Sequence, residues 1–166
     1  INIVRAIHFA LCDRRNILNL SFGYETVKED FFDTFLKVVL QKAIDQNILP
    51  IVAAGNLGEC IGDFNPYYPA AYELEGMLTI GASECTAGYA PFSNYGKPID
   101  LLAPGVKVFC RDTAFGNWIY ANGTSHATAI VTGMAAALAT QHPTFNAMAI
   151  KDTLLLELNS CSSNVL

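Results

Sequence analysis

Apolar positions recur at helical spacing from the start of the chain. Ile3, Val4, Ile7 and Ala10 fall on one face and predict an amphipathic helix over 2–13. The period then shortens: "NILNLSFG" (16–23) is a compact apolar run closed by a glycine, which predicts a buried strand. A second helix is predicted over 26–46. Glu29 and Asp30 lie near its positive end, and Phe31, Phe35, Val38, Val39 and Ile44 form its apolar face. "ILPIVAAG" (48–55) predicts a second strand leading into a polar, glycine-containing loop, and "MLTIGAS" (77–83) a third. Shorter strands are predicted at 107–110 and 117–122 around a turn. Residues 124–141 predict a helix rich in small side chains, and 147–158 a final amphipathic one.

Helices alternating with short apolar strands predict an α/β fold with a mainly parallel sheet flanked by helices. Functional groups in such a fold collect beyond the carboxyl ends of the strands, where Gly23, Asn56 and Ser125 all fall. No internal repeat, linker or low-complexity stretch divides residues 1–166, so a single domain is expected.

Composition narrows the function. The net charge is −5, and the one basic cluster, Arg14–Arg15, reads as a solvated helix end. A phosphate-binding surface needs clustered Lys and Arg, which argues against a nucleic-acid partner. No run reaches the roughly 18 apolar residues of a membrane span. No basic segment followed by an apolar one opens the chain as a secretory signal would. Cys12, Cys60, Cys85, Cys110 and Cys161 are scattered, without the CxxC spacing of zinc or redox sites. No GxGxxG or GxxxxGK[ST] follows a strand, which counts against a nucleotide-binding domain. Nothing here assigns a compartment.

The chemistry centres on "NGTSHATA" (122–129) and "PIVAAGN" (50–56). A serine at a helix start is ordinarily a cap. Around Ser125, however, Gly123, Ala127 and Ala129 keep the helix start slim enough for a substrate carbonyl to approach its positive end. An asparagine after glycine is ordinarily a turn residue. Asn56 would also suit as a side-chain donor to the oxyanion formed when a serine attacks a carbonyl.

In order along the chain, "NLSFG", "PIVAAGN", "YYPAAY", "LTIGAS", "PFSNYGKPIDLLAPGVKVF" and "NGTSHATA" resemble the subtilisin-like serine proteases from about Ile3 to Leu158. The resemblance implies Ser125 as nucleophile, with Asn56 and the Ser125 backbone N–H as oxyanion donors. It implies Ser21, Phe22 and Gly23 as the edge that pairs with an extended polypeptide substrate. Ala53, Ala54 and Gly55 would wall the primary specificity pocket, with Tyr68, Pro69 and Ala70 near it and Ala103–Pro104–Gly105 as a structural turn. Two positions depart from the family: His126 stands where a methionine usually follows the nucleophile, and Ala129 stands where a proline is usual. His126 is expected to alter the pocket floor or the helix packing. Calcium is a family possibility, but no loop carries a carboxylate-rich pattern to which it can be assigned, and no metal site or other cofactor is expected from the residues.

A serine hydroxyl needs a base. The family supplies it in the chain order Asp, His, Ser, yet neither Asp-(Ser/Thr)-Gly nor His-Gly-Thr precedes Asn56. His8 lies within the first helix, His142 at a helix end, and His126 about 100° around the helix from Ser125. The expectation is therefore the later half to two-thirds of a subtilase catalytic domain. Its partner would be an upstream segment or separate chain bearing Asp and His, and residues 1–166 alone would be inactive. The competing expectation is an inactive subtilase-like module that binds an extended peptide by strand addition along Ser21–Gly23.

Overall fold

A computed structural model describes residues 2–13, 16–26, 31–84, 88–112 and 114–162. Arg14, Arg15, Glu29, Asp30 and Cys85, named above, lie outside them. The helices are α1 (Asn2–Cys12), α2 (Phe31–Asp45), α3 (Thr124–Gln141) and α4 (Ala147–Ser162). The strands are β1 (Ile17–Leu20), β2 (Tyr24–Glu25), β3 (Leu49–Ala53), β4 (Tyr67–Tyr68), β5 (Leu78–Ser83), β6 (Leu101–Pro104), β7 (Val108–Arg111) and β8 (Trp118–Ala121). The main sheet has the order β1-β3-β5-β6 and every pairing in it is parallel, with Ile17 opposite Leu49, Ile51 opposite Leu78 and Ile80 opposite Leu101. Two small antiparallel pairs, β2–β4 and β7–β8, stand apart from it.

A parallel sheet must be covered on both faces, and alternation along β3 shows how this is done. Val52 turns to a core with Ile7 and Leu11 of α1 and Leu36 and Leu40 of α2. Leu49 and Ile51 turn to the opposite core, with Ala127, Val131 and Ala135 of α3 and Ile150 and Leu154 of α4. All five residues of β3 are buried. Along α3, Ala127, Val131 and Ala135 repeat every four residues, so a stripe of small side chains lets this helix touch all four strands of the sheet. That close seating fixes where the amino end of α3, with Ser125, meets the strand ends.

The predicted architecture holds, with three differences. The second helix begins later than 26, because Tyr24–Glu25 pair with Tyr67–Tyr68 as strands. α4 runs on to Ser162. Ala103 and Pro104, expected in a turn, close β6, and the chain turns only afterwards. Pro104 lacks an N–H and is tolerated because β6 pairs with β5 alone, at the sheet's edge.

No described strand pairs with the outer side of β1. Nearby helices leave apolar groups in water, with Phe9 of α1 70% and Val38 of α2 60% exposed. An open edge beside apolar surface favours pairing with another chain. Covering each large apolar side chain is worth about 1.5–3 kcal/mol, against a typical domain stability of about 5–15 kcal/mol. The chain expressed by itself is expected to self-associate through β1 or to unfold with low cooperativity. Sedimentation combined with denaturant unfolding checks this: a monomer with a cooperative transition of several kcal/mol would contradict it.

Candidate active site

The ends of β1 and β3 and the start of α3 meet at one point. Ser125 is the second residue of α3 and does not cap it: its Oγ–H donates to the backbone oxygen of Ser21, at 3.1 Å. The Ser21 hydroxyl returns a bond to the backbone oxygen of Ser125, at 3.0 Å. These reciprocal bonds pin the nucleophile candidate against the Ser21–Gly23 edge. The Ser125 N–H belongs to the first helical turn and finds no acceptor among the described residues.

Asn56 follows β3 and reaches across to α3. Its Oδ1 accepts from the Thr124 N–H at 2.8 Å and from the Thr124 hydroxyl at 2.9 Å. That hydroxyl in turn accepts the Gly55 N–H at 3.2 Å. Two donors on one side of the carboxamide assign that atom as oxygen, leaving Nδ2 as the outward, unengaged donor. Nδ2, the Ser125 N–H and His126 Nδ1 surround one small space beside Gly123. A Cβ built there would lie 3.6, 3.8 and 3.3 Å from them respectively. The positive end of an 18-residue helix points at the same place. The Asn56 carboxamide and the Ser125 N–H, two donors converging at a helix start, can hold an anion.

The remaining predicted residues group around this point. Ala53 and Ala54 are buried, and Gly55 has φ +102°, a conformation that favours glycine. Ala54 is held from both sides: its N–H donates to the oxygen of Ile80, and its own oxygen accepts from Asn94 Nδ2 at 2.9 Å. Pro69 and Ala70 are buried. Tyr68 turns into the core, its ring 4.8 Å from that of Tyr72. The aromatic residue at the slot between the two strand ends is instead its neighbour Tyr67. Burial, and then the charge of Glu25, push the Tyr67 phenol above its ordinary pKa, so it stays neutral.

No histidine reaches the Ser125 hydroxyl among the described residues. His8 is exposed on α1 with Nδ1 3.7 Å from Cys12 Sγ. His142 closes α3 and stacks on Phe145, with ring centroids 4.5 Å apart. His126 has its Nε2 3.8 Å from Cys110 Sγ on β7 and its buried Nδ1 without a partner. Among the described residues no three His, Cys, Asp or Glu side chains converge as a metal-ligand group. No helix among them is long and apolar enough to cross a membrane.

Sequence reasoning missed Thr124, Asn94 and Tyr67. Asn94 is wholly buried; besides Ala54 it serves the N–H groups of Leu57 and Glu59 through Oδ1, at 3.0 and 3.2 Å. It thereby fixes the loop that follows Asn56. Its signal was the motif "PFSNYG", in which it stands beside Ser93.

The family model described as the subtilase family matches residues 1–163. The chain belongs to the subtilase family. It is 34% identical over 153 residues to Subtilisin NAT from Bacillus subtilis subsp. natto, covering 92% of this chain and 38% of that protein. It is also 34% identical to a subtilisin from Bacillus pumilus, covering 92% of this chain and 52% of the relative. This subtilase chain therefore spans about half the length, or less, of these relatives. Among solved structures, a prenylagaramide maturation protease aligns with a TM-score of 0.72 at 34% identity, covering 84% of this chain and 49% of that one. A cold-adapted subtilisin-like serine proteinase aligns with a TM-score of 0.79 at 24% identity, over 92% of this chain and 52% of that one, and shows likeness of fold.

Proposed function

We propose that this subtilase chain is the nucleophile-bearing part of a serine endopeptidase. The observation that carries the reading is the junction of β3 and α3. There Ser125 lies beside its own free N–H and beside an Asn56 carboxamide whose oxygen is already engaged. The Ser125 Oγ attacks the carbonyl carbon of a scissile peptide bond, and its proton passes to a histidine supplied from outside the described residues. The carbonyl oxygen becomes an oxyanion and accepts from Asn56 Nδ2 and the Ser125 N–H. Collapse expels the amine, which takes the proton back from the histidine and leaves an acyl-Ser125 ester. Water, deprotonated by the same base, hydrolyses the ester and restores the hydroxyl. The Ser21–Gly23 backbone pairs with the substrate as an added strand. During this cycle the bond from Ser125 Oγ to Ser21 must give way to one directed at the base.

The inactive-module reading keeps the strand addition and drops the chemistry. A fluorophosphonate probe separates the two in a complete protein containing this chain and an upstream Asp–His segment. Labelling is expected at Ser125 and is expected to vanish with Ser125→Ala. Peptide binding without labelling would favour the module.

A further inference from the structure

We propose that Tyr67 closes the primary specificity pocket, so that the protease takes substrates with a small side chain, such as alanine, serine or glycine, on the residue whose carbonyl is attacked. The inference rests on the serine-protease reading and narrows its substrate class. The slot in question lies between the Ser21–Gly23 and Ala53–Gly55 stretches, the two backbones that would flank that side chain.

The ring of Tyr67 stands in this slot. A Cβ on Gly23 would lie 2.1 Å from Tyr67 Cε1 and 2.7 Å from Cζ; a Cβ on Gly55 would lie 2.7 Å from each of the same atoms. One edge of the ring therefore abuts both backbones at once, in space that side chains on either glycine would need. The ring leaves no room for a side chain at Gly23, and at Gly55 it does so together with Asn94 Nδ2, 2.4 Å from the same Cβ, and the positive φ. A large substrate side chain would compete for the same volume, and overpacking a filled site is destabilising.

The ring is held from several sides. Tyr67 sits on β4, opposite Glu25 of β2. Its chain neighbour Tyr68 is anchored among Tyr24 and Tyr72, and Pro69 is buried. The ring also lines a partly open pocket of about 480 Å³, whose other walls include Glu25, Leu57, Glu59, Ile61 and Phe64. None of Ser21–Gly23 or Ala53–Gly55 lines that pocket. The phenol ring is thus a partition between the slot and a partly open pocket of mixed polar and apolar lining, large enough for an aromatic side chain. Shortening Tyr67 should join the two and reverse the preference from small to large.

The experiment uses the complete protease and three irreversible probes: a general fluorophosphonate and two peptide phosphonates that differ only in alanine or phenylalanine at the reactive residue. The alanine phosphonate is expected to label Ser125 about 100-fold faster than the phenylalanine one, the scale on which pocket size discriminates substrates. Tyr67→Gly is expected to invert that order, and Tyr67→Phe to preserve it. The fluorophosphonate rate reports whether each variant keeps an intact nucleophile. Fluorophosphonate labelling with equal alanine and phenylalanine rates in the unmodified protease overturns this inference alone. So does a Tyr67→Gly variant that labels with fluorophosphonate yet keeps the alanine preference. Failure of all three probes on the unmodified protease overturns the serine-protease reading, and the inference with it.

Discussion

Ser125→Ala in the complete protease is expected to lower kcat about a million-fold, the loss found when the nucleophile or the histidine is removed from subtilisin itself. In energy this is about 8 kcal/mol of transition-state stabilisation. The chain by itself should be comparably slow with Ser125 intact. Its hydroxyl donates to the Ser21 carbonyl, and none of the described histidines stands ready to take the proton. A serine without a base keeps only the oxyanion donors and the binding edge, so both proteins should settle at a similar low rate. The measurement is hydrolysis of a peptide ester or anilide by three preparations: the complete protease, its Ser125→Ala variant and the chain alone. Ordinary turnover by the chain alone, abolished by Ser125→Ala, would mean that a base exists within it. His126, whose Nδ1 is buried and unpartnered, would then be the first residue to re-examine.

Much of the fold was legible because apolar periodicity and burial agree. The sheet strands β1, β3 and β5 are short apolar runs, and α3 was bounded at Thr124 and Gln141 by a polar, glycine-containing lead-in and a His–Pro stop. β6 was not legible. Its four residues include a proline and merge with a turn-like Ala–Pro–Gly, and only their place at the sheet's edge makes a strand of them. β2 and β4, two residues each, carry no periodicity at all. Ser125 and Asn56 were legible as members of motifs, but the meeting of Ser125 with Ser21 spans 104 positions and appears only when the sheet forms. Tyr67 shows the limit most clearly. "YYPAAY" presents two adjacent tyrosines that both pack partly against one core, and strand alternation sends the Tyr68 ring to Tyr72 and the Tyr67 ring between Gly23 and Gly55. Which goes where depends on the pairing of β4 with β2, which no local pattern specifies.

Asn56→Ala is expected to lower kcat by about 100- to 1,000-fold with little change in KM, the range found for the same kind of donor in subtilisin. KM should hold because Nδ2 meets the substrate oxygen well only once it has become an oxyanion. The structure adds a complication that two variants can resolve. Asn56 Oδ1 also accepts the Thr124 N–H and hydroxyl, securing the first turn of α3 much as a capping residue would. Alanine removes both functions, so a loss of about 1 kcal/mol in stability is expected beside the loss in kcat. Asn56→Asp separates them. A carboxylate keeps the acceptor for Thr124 and places negative charge at a helix start, which favours folding, but it sets like charge against the forming oxyanion. Its stability should match or exceed that of the unmodified protease, while kcat should fall at least as far as in Asn56→Ala. Steady-state kinetics and denaturant unfolding on the two variants provide the check. If Asn56→Asp kept its kcat, or if both variants lost stability without losing kcat, Asn56 would be holding α3 in place and nothing more.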